Sequence, residues 1–184
     1  KPRPLLEKQL QDAAGERAPG ILDTYQRLYP VWGDAVVQIA SDAIMRLPSI
    51  RLAQSACAHQ PVYMYLFTYR SNSTYRNFGS AHAMELPFVF GTDDLPEAIA
   101  FTGRDPRRHA LADAMMDTWI AFARSGNPTR KGGPDWPVYE PGARATMELG
   151  TTIRLLNDPL AEQRKAWGEE PLRVEKTWRL LQEN

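Results

Sequence analysis

Proton transfer, nucleophilic attack and metal ligation draw first on histidine and cysteine, and this chain holds His59, His82, His109 and Cys57. No pair among them has His-Glu-x-x-His or Cys-x-x-Cys spacing, so no zinc or other metal site is expected. The 12 glycines include no two that are four apart, which excludes a Gly-x-Ser-x-Gly nucleophile elbow. Neither a P-loop nor a Gly-x-Gly-x-x-Gly fingerprint occurs, so no nucleotide cofactor is expected. His59 precedes Gln60-Pro61 at a predicted helix end, where capping of terminal carbonyls is the ordinary role. His109 stands among Arg104, Arg107 and Arg108 and reads as part of a solvated face. His82 differs, because it lies in a loop followed by an apolar anchor. A lone loop histidine is still more often a surface group than a catalyst. Ser80 is too close in the same loop to serve as its nucleophile, since triads are assembled from distant segments.

The chain of 184 residues is long enough for one domain with its own core. Lys plus Arg and Asp plus Glu number 22 each, so no net field favours nucleic acid or an anionic membrane, and neither is expected as a partner. No apolar run is long enough to cross a bilayer. Cys57 stands alone, which rules out an internal disulfide framework and slightly favours a reducing, cytoplasmic setting. The first residue is Lys1, and a fragment or processed chain is expected.

The pattern predicts a weak helix over 5–12, breaks at Gly15 and Pro19-Gly20, and a second helix over 21–28, leaving residues 1–20 loosely held. Two helices are predicted within 31–58, joined at Leu47-Pro48. Residues 62–69 are apolar at consecutive positions, as in a strand covered on both faces of an α/β sheet. A polar loop over 70–79 follows, which puts His82 just beyond the carboxyl end of that strand, where open α/β sheets place their chemistry. Asp105-Pro106 reads as a helix start, with Leu111, Met115, Trp119 and Phe122 as its packed stripe and 125–128 as its stop. Short β-like pieces over 146–149 and 152–155 suggest a small peripheral hairpin. Val174, Trp178 and Leu181 are expected to pack a terminal helix on the body.

Gly79, His82, Glu85, Leu86, Phe88, Val89, Phe90 and Gly91 fill every fixed place of a Gly-x-x-His-x-x-Glu-φ-x-Phe-Val-Phe-Gly pattern, where φ is apolar. That segment resembles the type B carboxylesterase and cholinesterase family, in particular bacterial para-nitrobenzyl-esterase-like members. Ala40-Ser41-Asp42 with Arg46 and Pro48, residues 61–65, 119–123, 126–128 and 136–139 are similar to further family landmarks, so the likeness covers about 21–167. The resemblance implies an α/β-hydrolase fold of which residues 1–184 are the C-terminal portion, helix-rich with one or two central strands. It implies hydrolysis of a small-molecule carboxylic ester by a Ser-His-Asp/Glu triad, with His82 as the catalytic base. Nucleophile and acid would lie on an N-terminal remainder of the domain, and this chain alone would be inactive.

Glu85 is similar to a family glutamate that supports the site by hydrogen bonding; a helix-start carboxylate is an equal reading. Ala83 departs from the glycine many members carry after the histidine, which restricts the backbone slightly. Phe88, Phe90 and Phe101 are expected in the core rather than in an acyl or alcohol pocket, and Trp119 and Phe122 are expected to pack. A non-catalytic cholinesterase-like binding domain is the alternative function. An independent α-rich module meets a physical objection, because the apolar strand would keep unpaired edges.

Overall fold

In the computed structural model, which describes residues 1–76, 78–169 and 174–181, the chain divides into two compact units, 1–55 with 160–184, and 56–159. The first unit is helical: α1 (Arg3–Ala14), α2 (Ala18–Leu28), α3 (Trp32–Ser41), α4 (Leu47–Ala56), α8 (Ala161–Trp167) and α9 (Val174–Thr177). Its opening residues, expected to be loosely held, are anchored. Leu6 and Leu10 are 0% and 1% exposed, and burial of such a side chain stabilises by about 2–3 kcal/mol. Lys1 Nζ also donates to the Leu180 carbonyl at 2.8 Å, and the Trp32 indole donates to the Lys1 carbonyl at 2.8 Å. Pro19 and Gly20 do not break a helix; Pro19 sits in the first turn of α2, where its missing N–H has no intrahelical partner to lose.

α3 and α4 are joined by a π-helical turn over Asp42–Arg46. The widened turn falls just before Pro48, whose ring removes a helical N–H and crowds the preceding turn. Inside it Arg46 Nε donates to Asp42 Oδ1 at 2.6 Å and Nη2 to Oδ2 at 2.7 Å. The Tyr25 hydroxyl donates to the same carboxylate, and Trp167 Nε1 donates to the Tyr25 oxygen at 2.9 Å. Asp42 is 3% exposed, so its charge is matched by a buried bidentate cation and a hydroxyl. At the far end of the chain Leu180 and Thr177 are buried while Trp178 and Leu181 are 55% and 54% exposed, the reverse of the expected packing. The 3₁₀ turn over Trp178–Leu181 rotates the apolar stripe away from a 3.6-residue period. The side chain of Val174 falls outside what the structure describes.

The second unit holds β1 (Met64–Phe67), α5 (Leu86–Val89), α6 (Pro96–Thr102), α7 (Arg108–Ser125), β2 (Ala145–Leu149) and β3 (Ile153–Asn157). The chain leaves β1, crosses through the helices and returns as β2 in parallel with β1, while β3 closes a hairpin antiparallel to β2. The hairpin therefore extends the sheet of β1, in the order β1-β2-β3. Tyr69, Met84, Phe88, Leu111, Met115 and Met147 form the buried centre. β1 is less covered than its composition predicts. Its residues are half-buried, Tyr65 is 38% exposed, and β2 is its one strand neighbour among the described residues.

Candidate functional site

Loop geometry after β1 is set by hydroxyl groups that finish α6. A helix leaves its last carbonyls without intrahelical donors. Here Ser73 Oγ donates to the Ala100 carbonyl at 2.6 Å, Ser71 Oγ to Phe101 at 2.7 Å and the Tyr69 hydroxyl to Thr102 at 3.1 Å. Asn72 Oδ1 accepts from the Arg104 N–H at 2.7 Å. Gly103 makes this approach possible, with φ 84° and ψ −163°, backbone only glycine adopts readily. A Cβ there would stand 2.7 Å from the Ser73 nitrogen and 2.8 Å from the Asn72 carbonyl carbon. Gly103→Ala is expected to cost about 2–3 kcal/mol, read as a lower urea midpoint at unchanged m-value.

The loop closes where Ser71 N–H donates to the Gly79 carbonyl at 2.9 Å, and the next residues carry the family-like pattern. Ser80 Oγ donates to the Phe67 carbonyl at 3.1 Å. Its proton is thus directed at the end of β1. His82 is exposed, and among the described residues its ring makes no hydrogen bond. The turn over Ala81–Met84 is closed by the Met84 N–H on the Ala81 carbonyl at 3.2 Å, and Met84 is fully buried. Behind it the Phe88 ring packs on Tyr69 and Phe67, with centroids 4.9 Å and 5.6 Å apart. Ala83 has φ 64°, in the left-handed region that a Cβ disfavours by about 1–2 kcal/mol. Ala83→Gly relieves that strain at some cost in unfolded-chain entropy, so a net gain of about 0.5–1 kcal/mol is expected in thermal unfolding.

Glu85 takes the N-cap position of the four-residue α5, but its side chain does not cap it. It lies instead, half-buried, in an open cleft of about 530 Å³ walled by Tyr65, Leu86, Phe90, Trp119 and Ile120. Burial, and then the charge of Glu85, push the Tyr65 hydroxyl above its ordinary pKa. His82 is not in the wall of this cleft, and no hydrogen bond joins it to Glu85 among the described residues. Phe90 and Phe122, expected in the core, are 72% and 49% exposed; Phe88 is buried and Phe101 half-buried against the same core. Along the α7 stripe Leu111 and Met115 are buried, Trp119 packs half-buried on the same core with its ring 5.4 Å from that of Tyr65, and Phe122 is exposed with its ring 6.0 Å from that of Tyr63.

The start of α7 holds a second group of charges. α7 begins at Arg108, two residues after Pro106, and Asp105 Oδ1 accepts the Arg107 N–H at 2.9 Å. Hydrogen bonding to the Arg107 side chain holds the Asp105 carboxyl below its usual range. His109 does not simply face solvent: its Nδ1 is 3.1 Å from Asp93 Oδ2 and its Nε2 3.6 Å from Asp94 Oδ1. These three residues could offer ligand atoms within 4.8 Å of one another, which their distance along the chain did not signal. The guanidinium of buried Arg108 already stands there, 2.5 Å from Asp94 and 3.6 Å from Asp93. A second cation would have to displace or oppose it. The arrangement reads as an ion-paired clasp that ties the turn after α5 to α7.

A model of the carboxylesterase family matches residues 13–167. The para-nitrobenzyl esterase of Bacillus subtilis is 32% identical over 138 residues, which are 75% of this chain and 28% of that protein. The cocaine esterase of Homo sapiens is 32% identical over 107 residues, 56% of this chain and 19% of that protein. Among solved structures, a thermophilic PNB esterase aligns with a TM-score of 0.75 at 27% identity, covering 91% of this chain and 34% of that one. A carboxylesterase of Geobacillus stearothermophilus aligns with a TM-score of 0.73 at 27% identity, covering 87% and 34%. The chain thus spans about a third or less of the length of these relatives. With the family pattern matched over most of its residues and the architecture shared with solved esterases, the chain belongs to the type B carboxylesterase family and carries part of an α/β-hydrolase fold.

Proposed function

We propose that this chain is the histidine-bearing, C-terminal portion of a serine carboxylesterase. The observation that carries the reading is His82: in a chain of this family, it occupies the pattern's histidine position on a loop held at the carboxyl end of β1, with its ring open to a partner. In the assembled enzyme the neutral imidazole accepts the proton of a serine hydroxyl as that oxygen attacks an ester carbonyl. It then returns the proton to the departing alcohol. The serine and the triad acid are supplied by the remainder of the hydrolase domain, since no nucleophile elbow occurs here. The same remainder covers the apolar cleft and the open edge of β1. An exposed wall of Leu86, Phe90 and Ile120 beside a strand edge that has no strand neighbour among the described residues favours such a cover. Glu85, inside that wall, is then enclosed and supports the site by hydrogen bonding to groups of the covering part.

The purified 184-residue chain is expected to hydrolyse para-nitrophenyl acetate no faster than its His82→Ala variant. Supplying the serine-bearing part by co-expression is expected to produce turnover that the variant lacks. Turnover by the chain alone, abolished in the variant, would place the nucleophile in these residues. A glycine or alanine at the elbow of the parent polypeptide would favour the non-catalytic binding domain instead.

A further inference from the structure

We propose that Ser80 is a positioning residue for His82, pinning the loop that carries the imidazole to the end of β1. The inference rests on the catalytic reading of His82. Gly79 and Ala83 flank the segment with φ 61° and 64°, so the backbone bends sharply on both sides of the histidine. Downstream the segment is held by buried Met84, and upstream by the Ser71–Gly79 backbone bond. Between them, the Ser80 hydroxyl supplies the side-chain tie to the sheet, donating to the Phe67 carbonyl at 3.1 Å.

Phe67 is a firm anchor. It lies opposite Leu149 in the parallel pairing of β1 with β2, and its ring packs against Tyr69 and Phe88. The tie therefore fixes a point two residues from the imidazole relative to the sheet. Alanine at 80 would remove the donor without touching the buried core, because Ser80 itself is exposed. The loop would then sample geometries in which the ring is displaced, and displacements near 1 Å are costly for proton transfer to a positioned oxygen. A hydroxyl already engaged with a carbonyl is also poorly placed to act as the nucleophile, which separates this role from a Ser-His pair.

The test uses the complete esterase and para-nitrophenyl acetate, comparing Ser80→Ala, Ser80→Thr and His82→Ala. Ser80→Ala is expected to lower kcat about fivefold to tenfold, with KM within about twofold and Tm within about 2 °C. Ser80→Thr keeps the donor and is expected to recover most of kcat. A Ser80→Ala enzyme of unchanged kcat beside an inactive His82→Ala enzyme would overturn the positioning role and leave the catalytic reading intact. So would failure of Ser80→Thr to recover activity while its Tm is preserved. An active His82→Ala enzyme would overturn the catalytic reading, and the inference with it. Loss of activity in Ser80→Ala as deep as in His82→Ala would show a part in the bond-making step and would equally overturn positioning.

Discussion

Replacing His82 by alanine in the assembled esterase is expected to lower kcat for para-nitrophenyl esters by about 10⁴- to 10⁶-fold. The size follows from the double use of one ring. Without it the serine hydroxyl must ionise unaided near neutral pH, and the leaving alcohol must depart without a proton. Activity left over would come from substrate binding and whatever donors stabilise the oxyanion, so KM is expected to change little. The 184-residue chain itself should hardly lose stability, because there the ring is exposed and makes no hydrogen bond among the described residues; a change within about 0.5 kcal/mol is expected. The pairing of a catalytic collapse with an unchanged unfolding curve is what separates a chemical role from a structural one. Stopped-flow assay of the assembled esterase measures the first, and urea unfolding of the 184-residue chain the second. Retention of kcat within about tenfold would remove His82 from the mechanism, since even partial general-base assistance exceeds that factor.

Much of the second unit was legible in the sequence because its signals are local. Consecutive β-branched and aromatic residues mark β1, and Leu111 and Met115 mark the buried side of α7. The hairpin follows from two short β-like runs around Gly150. Periodicity reports which face is apolar, however, and not what covers it. Phe90, Tyr65 and Phe122 belong to apolar patterns and yet stand exposed in this chain. Reading Pro19-Gly20 as a break failed for a related reason, because proline marks a helix start as readily as an end.

The candidate site was legible in a different way. Residue chemistry alone left His82 among three histidines, and the surrounding pattern singled it out by resemblance. What supports the loop was hidden. Ser71 and Ser73 look like ordinary loop residues, and only the fold brings them to the carboxyl end of α6 some thirty residues on. The left-handed backbone at Ala83 was not legible either, since the alanine there implied only a slight restriction of the chain.

Asp42→Ala is expected to destabilise the helical unit by about 3–5 kcal/mol, the largest stability effect of any single substitution considered. The loss is not that of one ion pair in water. Removing the carboxylate leaves the Arg46 guanidinium, whose side chain is 12% exposed, without its bidentate acceptor, and leaves the Tyr25 hydroxyl without the group it donates to. Both penalties arise in the interior, where solvent cannot take the carboxylate's place. Asp42→Asn keeps the volume but not the charge, so Arg46 stays uncompensated and most of the loss should remain. The double replacement Asp42→Leu with Arg46→Met removes both charges and is expected to be much milder than either single change.

The same network sets a pH limit. Burial first, and then the charge of Asp42, raise the Tyr25 hydroxyl far above its ordinary value of 10.0. A group whose folded pKa is raised holds its proton more tightly in the native state, so its contribution is complete below about pH 10 and is lost as pH rises beyond it. The unfolding free energy from urea titrations should therefore fall above about pH 10, by up to about 1.4 kcal/mol per pH unit from this hydroxyl alone. Tyr25→Phe removes the titrating hydroxyl, so its alkaline limb is expected to be shallower than that of the parent chain by up to that amount. A limb of equal slope in Tyr25→Phe would assign the alkaline loss to other tyrosines and lysines.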